Sequence, residues 1–383
     1  MFIYDAVRTP RGKARKGGGL AAMQPRELVA NLAEALANRC GELARTPDAL
    51  VLGCVTQAGD QGGHIALQSK LHAGLPDDTA VCSLNNYCAS GLTAIANGAA
   101  RIGAGQARIV LAGGVESMSR VPFLSDNAGF YDDQSLKPDS RFIPPVLGAD
   151  RLANAEGIGR EEMDAAALVS QQRSVSAESN PALVASRIAI GNLNAEECIR
   201  PGTTRETLAA MPAAFGMLQG DYAAALDHEQ FEPLHTLCHA PPICDGAGLA
   251  LIGGGGLDAA PRARIVSIAE TGGNPRASLT AGFAAMDKAI KMSGLTLADM
   301  DRIEFMEAFG VTIAKFMRDW RPDTGKVNVS GGHLAKGHPM GATGAILLST
   351  LLDSLDESGL KYGLVVTTGA MGVGAAMVVE RLN

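Results

Sequence analysis

The stretch Asn85-Asn86-Tyr87-Cys88-Ala89-Ser90-Gly91-Leu92 ends an apolar strand and opens a small-residue helix, and Gly337-His338-Pro339-Met340-Gly341-Ala342-Thr343-Gly344 is a glycine-dense turn that leads into the equivalent helix of the second half. Ala89-Ser90-Gly91 and Ala342-Thr343-Gly344 stand 253 positions apart, and Cys88 and His338 250 apart. The flanks repeat as well. The first half runs through an amphipathic stretch (Pro25 to Arg39), a strand at Leu50 to Val55, the Cys88 turn, a helix from Ala89 to Arg101 and a strand at Ile109 to Gly114. The second runs through Phe283 to Met292, Arg302 to Phe305, a strand at Lys326 to Val329, a helix from about Met340 to Leu355 and a strand at Gly363 to Gly369. Short β-branched strands alternating with helical periods predict an α/β chain with a parallel, helix-covered sheet in each half, two such sheets giving five layers.

The terminal strand Gly374 to Glu380 follows its predecessor at once, whereas its counterpart Gly246 to Ile252 follows the 109–114 strand only after a long excursion. Residues 118–243 therefore read as an insertion, with a helical run from Arg160 to Ser176. The expected units are 1–117 with 244–257, the insertion 118–243, and 258–383, with Gly253 to Gly256 as a flexible joint.

Length and composition agree: 383 residues with 46% apolar side chains fill two or three cores, and 46 glycines with only 4% aromatics favour close packing of small residues. The net charge of −7 and the lack of an aromatic-interleaved basic run argue against a nucleic-acid partner. No basic n-region or eighteen-residue apolar stretch appears, so the expectation is a cytoplasmic protein without a membrane partner. Seven cysteines at irregular spacing (40, 54, 82, 88, 198, 238, 244) point to reduced thiols.

Cys88 at a helix entrance sees the positive end of the macrodipole, which predicts a thiol pKa below the free value of about 8.5 and a nucleophile; a buried structural cysteine is the alternative. His338, held extended before Pro339, faces Cys88 across the repeat axis and offers Cys–His activation, against the alternative of a structural histidine. His235, Cys238, His239 and Cys244 have loose metal-ligand spacing interrupted by Pro241-Pro242, so no metal is expected. Gly369 to Gly374 precedes a strand rather than a helix and is no dinucleotide loop. Arg8, Arg11, Lys13, Arg15 and Lys16 read as a solvated loop rather than a phosphate patch.

Taken with Asp5 to Pro10, Gly113 to Ser119, Arg200 to Thr204, Asp245-Gly246-Ala247 and Glu307-Ala308-Phe309, these motifs resemble the thiolase superfamily almost end to end, in particular acetyl-CoA acetyltransferases and 3-ketoacyl-CoA thiolases. The resemblance implies a five-layered αβαβα fold of two βαβαβαββ halves, a loop domain that binds coenzyme A, and a homodimer or homotetramer, alone or with a partner protein. It implies acyl transfer from acyl-CoA through the nucleophile Cys88 with His338 as base, a backbone oxyanion hole at Cys88 and Ala370, coenzyme A as substrate and no resident cofactor. Two catalytic-site positions depart from the family. Met306 stands where an Asn or His would hold a water, and aligning the last strand through Ala376, Met377 and Glu380 puts Thr368 in place of a second, basic cysteine. The expected pocket residues are Leu147, Ala240, Pro241, Ala308 and Phe309, with Leu147 and Pro241 replacing the family's Met and Ser. The resulting expectation is a thiolase-like acyltransferase. The alternatives are an acyltransferase or thioester hydrolase without efficient carbon–carbon chemistry, and a non-catalytic CoA-binding or scaffold subunit.

Overall fold

The computed structural model describes residues 1–382. Its strands are β1 (Phe2–Arg8), β2 (Gly12–Lys13), β3 (Ala49–Gly53), β4 (Ala80–Leu84), β5 (Ile109–Glu116), β6 (Cys244–Gly253), β7 (Ala263–Gly272), β8 (Arg302–Phe305), β9 (Tyr362–Gly369) and β10 (Val373–Arg381). The principal helices are α1 (Pro25–Cys40), α2 (Ile65–Ala73), α3 (Ser90–Gly103), α4 (Pro145–Glu156), α5 (Arg160–Glu178), α6 (Ala281–Ser293), α7 (Gly310–Trp320) and α8 (Thr343–Glu357).

Alternation along the strands sets the layers. Leu50 and Leu52 of β3 join Leu28, Leu32 and Leu36 of α1 in one buried cluster. Val51, between them, joins Leu92 and Ile95 of α3 and Leu348 and Leu351 of α8 in a second cluster. In the other half, Leu364 and Val366 of β9 meet Phe283 and Met286 of α6 in a third, while Val365 faces α8. Both faces of each half-sheet are thus covered, with α3 and α8 as the shared middle layer, which is the expected five-layered order.

The sheets differ from the expectation in two respects. They join into one path, β4-β3-β5-β6-β1-β7-β10-β9-β8, because Phe2 and Ile3 of β1 pair with Arg264 and Ala263 of β7. They are also mixed: β3 is parallel to β4 and β5, and β8 to β9, but β5, β6, β1, β7, β10 and β9 are successively antiparallel. Tight connections account for this, since β9 returns directly as β10 and a short link cannot make a parallel crossover.

β5 and β6 pair from Ile109↔Gly253 to Glu116↔Gly246, with residues 117–243 leaving the sheet between them. The glycine run after β6 is fastened rather than free: Tyr4 Oη donates to Gly254 O at 2.6 Å, and Gly254 N–H donates to Arg108 O at 3.1 Å. The strand expected at Lys326 to Val329 shrinks to one parallel bridge, Val327↔Ile303. Asn328 is the cause. It adopts φ 45, and its side-chain amide takes over the pairing, accepting from Phe305 N–H at 2.8 Å and donating to Phe305 O at 2.9 Å.

Candidate active site

The turn before α3 is wound by its own side chains. Asn85 Oδ1 accepts from Tyr87 N–H at 2.9 Å, Ser90 Oγ accepts from Asn86 N–H at 2.8 Å and donates to Tyr87 O, and Tyr87 is left with φ 45. This kink delivers Cys88 to the helix entrance, buried, with the backbone N–H groups of Cys88 itself and of Ala370 near its Sγ. A side chain on Gly369 would stand 3.3 Å from Cys88 N, so the β9–β10 turn approaches the cysteine through a glycine. Met371, at φ 59, completes that turn and donates its N–H to Ser278 Oγ at 3.2 Å.

The second turn is placed by interlocking glycines. A Cβ on Gly91 would lie 2.7 Å from Gly341 O, and one on Gly344 only 2.3 Å from Leu92 N, so α3 and α8 begin backbone against backbone. Met340, the counterpart of Tyr87 by the 253-residue repeat, also has positive φ, at 25. The buried carboxylate of Glu116 ties the two turns together, accepting from Val55 N–H at 2.9 Å, Thr56 N–H at 3.1 Å, Gln61 Nε2 at 2.8 Å and Gly341 N–H at 3.0 Å. His338 is held by its N–H to Pro242 O at 3.1 Å and by its Nδ1 to Thr343 Oγ1 at 2.6 Å, which leaves Nε2 without a partner among the described residues.

Electrostatics overturn one expectation. Burial pushes the Cys88 thiol up to about 12, Glu116 adds to the rise, and the N–H groups of Ala370 and of Cys88 itself offset it only in part. Desolvation here outweighs the helix terminus, so the resting group is a thiol. Burial and the nearby Arg11 bring His338 down to about 3, making it a neutral imidazole. A neutral base and an un-ionised thiol at adjoining helix entrances fit proton transfer at the moment of attack rather than a stored thiolate–imidazolium pair.

Behind His338 lies a charged core that contradicts the solvated N-terminal loop. Arg8 and Arg11 are buried, and Glu196 pairs with them at 2.7 and 3.1 Å. Burial alone would raise the Glu196 carboxyl, but Arg11, Arg8 and Lys336 hold it at about 2. Only Arg15 and Lys16 of that cluster are exposed, Lys13 being half-buried.

The other expected residues are placed unevenly. Met306 and Ala308 are buried in the same apolar cluster as Cys88, with Phe309 packed at its border. The Thr368 hydroxyl is turned to the α6 backbone, accepting from Gly282 N–H at 3.4 Å. Ala240 and Pro241 are half-buried on the segment whose next residue, Pro242, holds His338. Leu147 lies apart, in a separate cluster with Ile143, Ala225 and Leu226. His235 and His239 turn to different carboxylates, Asp150 at 2.7 Å and Asp164 at 2.6 Å. Among the described residues no three His, Cys, Asp or Glu side chains gather as a metal site would require.

Residue patterning did not assign roles to Thr343, Glu116, Arg11 or His333. Thr343, five residues after His338, and Glu116, at the end of an apolar strand, are the two with a visible signal: polar side chains where the pattern buries them.

A mixed five-layered fold with a cysteine and a histidine at pseudo-equivalent helix entrances defines a two-half acyltransferase. The thiolase N-terminal domain family matches residues 1–226 and the thiolase C-terminal domain family residues 259–381, and the chain belongs to the thiolase family. It is 34% identical to the beta-ketoadipyl-CoA thiolase of Acinetobacter baylyi, and 32% identical to the 3-oxoadipyl-CoA/3-oxo-5,6-dehydrosuberyl-CoA thiolase of Escherichia coli, spanning 100% of this chain and 99% of each relative. The crystal structure of human mitochondrial 3-ketoacyl-CoA thiolase superposes with a TM-score of 0.85 at 29% identity, over 100% of this chain and 98% of that one. The protein is thus an acyltransferase of the thiolase type. Among the described residues no helix is long and apolar enough to cross a membrane.

Proposed function

We propose that the protein accepts an acyl group from a coenzyme A thioester onto Cys88. The Cys88 sulfur bonds to the thioester carbon as its proton passes to His338 Nε2; the bond to the coenzyme A sulfur breaks, and the proton leaves with that thiolate. For Nε2 to accept, Nδ1 must carry the other proton and donate to Thr343 Oγ1, the contact seen at 2.6 Å. The observation that carries the reading is the placing of two buried groups at interlocked helix entrances, Cys88 with the Ala370 backbone N–H near its sulfur and His338 with Nε2 unpartnered among the described residues. Backbone donors so fixed stabilise a developing oxyanion without reorganising. The relatives are named as thiolases of coenzyme A compounds, which favours a coenzyme A thioester as the donor here. Coenzyme A enters as substrate, with no resident cofactor; the 118–243 segment shapes its tunnel, and the working form is a homodimer or homotetramer.

The carbon–carbon step is weak in this reading. Forming that bond requires a group that takes a proton from a carbon acid, and breaking it requires a group that returns a proton to the leaving carbanion; at the two departing positions stand a thioether, Met306, and a hydroxyl, Thr368, a very poor base and acid near neutral pH. The test is Met306→Asn combined with Thr368→Cys, with acetoacetyl-CoA thiolysis and single-turnover acylation measured side by side. Thiolysis should rise about a hundredfold while acylation changes little. An unmodified protein that cleaves acetoacetyl-CoA near the ordinary enzyme rate of about 10 per second contradicts the weak carbon–carbon step and leaves the acylation of Cys88 standing.

A further inference from the structure

We propose that His333 is a positioning residue for His338, supplying the neutral acceptor that steadies the positive charge formed when His338 takes the Cys88 proton. The inference rests on the reading of Cys88 and His338 as the acyl-transfer pair. The two imidazoles meet edge to face, with centroids 5.6 Å apart and planes at 86°. His333 is completely buried, and neither of its ring nitrogens has a hydrogen-bond partner among the described residues, nor has His338 Nε2. Three unpartnered imidazole nitrogens thus lie in one buried ring contact, where polar groups are nearly always satisfied.

Charge explains what such a pair is for. The charged and titratable groups felt by His333 are Arg11, Lys336 and His338, and burial, with the cationic Arg11 and Lys336 near, keeps its ring neutral. His338 has no carboxylate on it; its one side-chain hydrogen bond is to the hydroxyl of Thr343. When the Cys88 proton arrives, the imidazolium forms beside Arg11 with no anion against it. A histidine that works with a nucleophile is ordinarily oriented and charge-stabilised by a third group. Here the nearest ring offering a lone pair is His333, acting directly or through one bridging water. Neutral His333 has one donor and one acceptor nitrogen, so it faces the new charge without gaining or losing a proton. A role in packing alone would be met better by an apolar ring, since burying an unpaired polar nitrogen is unfavourable.

The test compares His333→Phe, which keeps the ring and removes the nitrogens, with His333→Gln, which keeps an acceptor. Cys88 acylation by acetyl-CoA is followed by intact-protein mass over a range of donor concentrations, with thermal melting in parallel. His333→Phe should lower the saturating acylation rate about ten- to a hundredfold, leave the half-saturating donor concentration unchanged, and melt no lower than the wild type. His333→Gln should recover most of the rate. Where the Phe ring is not accommodated, His333→Leu carries the same comparison. Acylation by the apolar variant at the wild-type rate, or a Gln variant as slow as it, overturns the role of His333. A wild-type protein that forms no adduct on Cys88 overturns the acyl-transfer reading itself and this inference with it.

Discussion

Replacing Gly344 by Ala tests the interlock that brings the two helix entrances together. Helix propensity alone favours the change, since Ala exceeds Gly by about 1 kcal/mol inside a helix. Packing opposes it: the new methyl would lie 2.3 Å from Leu92 N, 2.9 Å from Leu92 Cα and 2.7 Å from its Cβ, where ordinary contact begins at 3.4 Å. Two of those atoms are helix backbone, so α3 and α8 must separate by about 1 Å, and overpacking of this kind costs about 1–3 kcal/mol. The net effect is a modest loss of stability. The effect on chemistry is larger, because α3 carries Cys88 and α8 follows His338, and a misplacement of about 1 Å lowers rates about a hundredfold. The assay is single-turnover acylation of Cys88 with thermal melting alongside. A variant that melts at or above the wild-type temperature and acylates at its rate would refute the backbone-to-backbone interlock.

The pH dependence follows from the same buried groups. Acylation requires neutral His338, and with its pKa lowered to about 3 the acid limb expected of an ordinary imidazole near pH 6.5 should be missing; a half-maximal rate near pH 6.5 with the protein still folded contradicts this. The Cys88 thiol, pushed up to about 12, should show no ionisation step below about pH 9 in the difference in ultraviolet thiolate absorbance between wild type and Cys88→Ala; a step near neutrality would mean that the helix terminus outweighs burial after all.

Much of this architecture is legible in the chain because it rests on periodicity. The 253-residue echo of Ala89-Ser90-Gly91 in Ala342-Thr343-Gly344 is a spatial statement once both segments open helices, and Gly91 and Gly344 do meet the opposite helix. The strand at Lys326 to Val329 misled because Asn328 pairs through its side chain, which propensity cannot register. The Arg8–Arg11 cluster looked solvated because its partner, Glu196, lies far along the chain. The expected low pKa of Cys88 failed for a related reason: the helix terminus is local and readable, while the desolvation that overrides it comes from the folded surroundings. His333 carried no sequence signal beyond its place five residues before His338, and only its burial without partners singles it out.

The central claim is that the sulfur of Cys88 carries the acyl group. The protein is incubated with acetyl-, acetoacetyl- and long-chain acyl-CoA, digested, and the peptide containing Tyr87-Cys88-Ala89 is weighed by mass spectrometry. The account predicts the acyl mass on that peptide with at least one donor and its loss in Cys88→Ala; an adduct mapped to Cys82, or none with any donor, contradicts it.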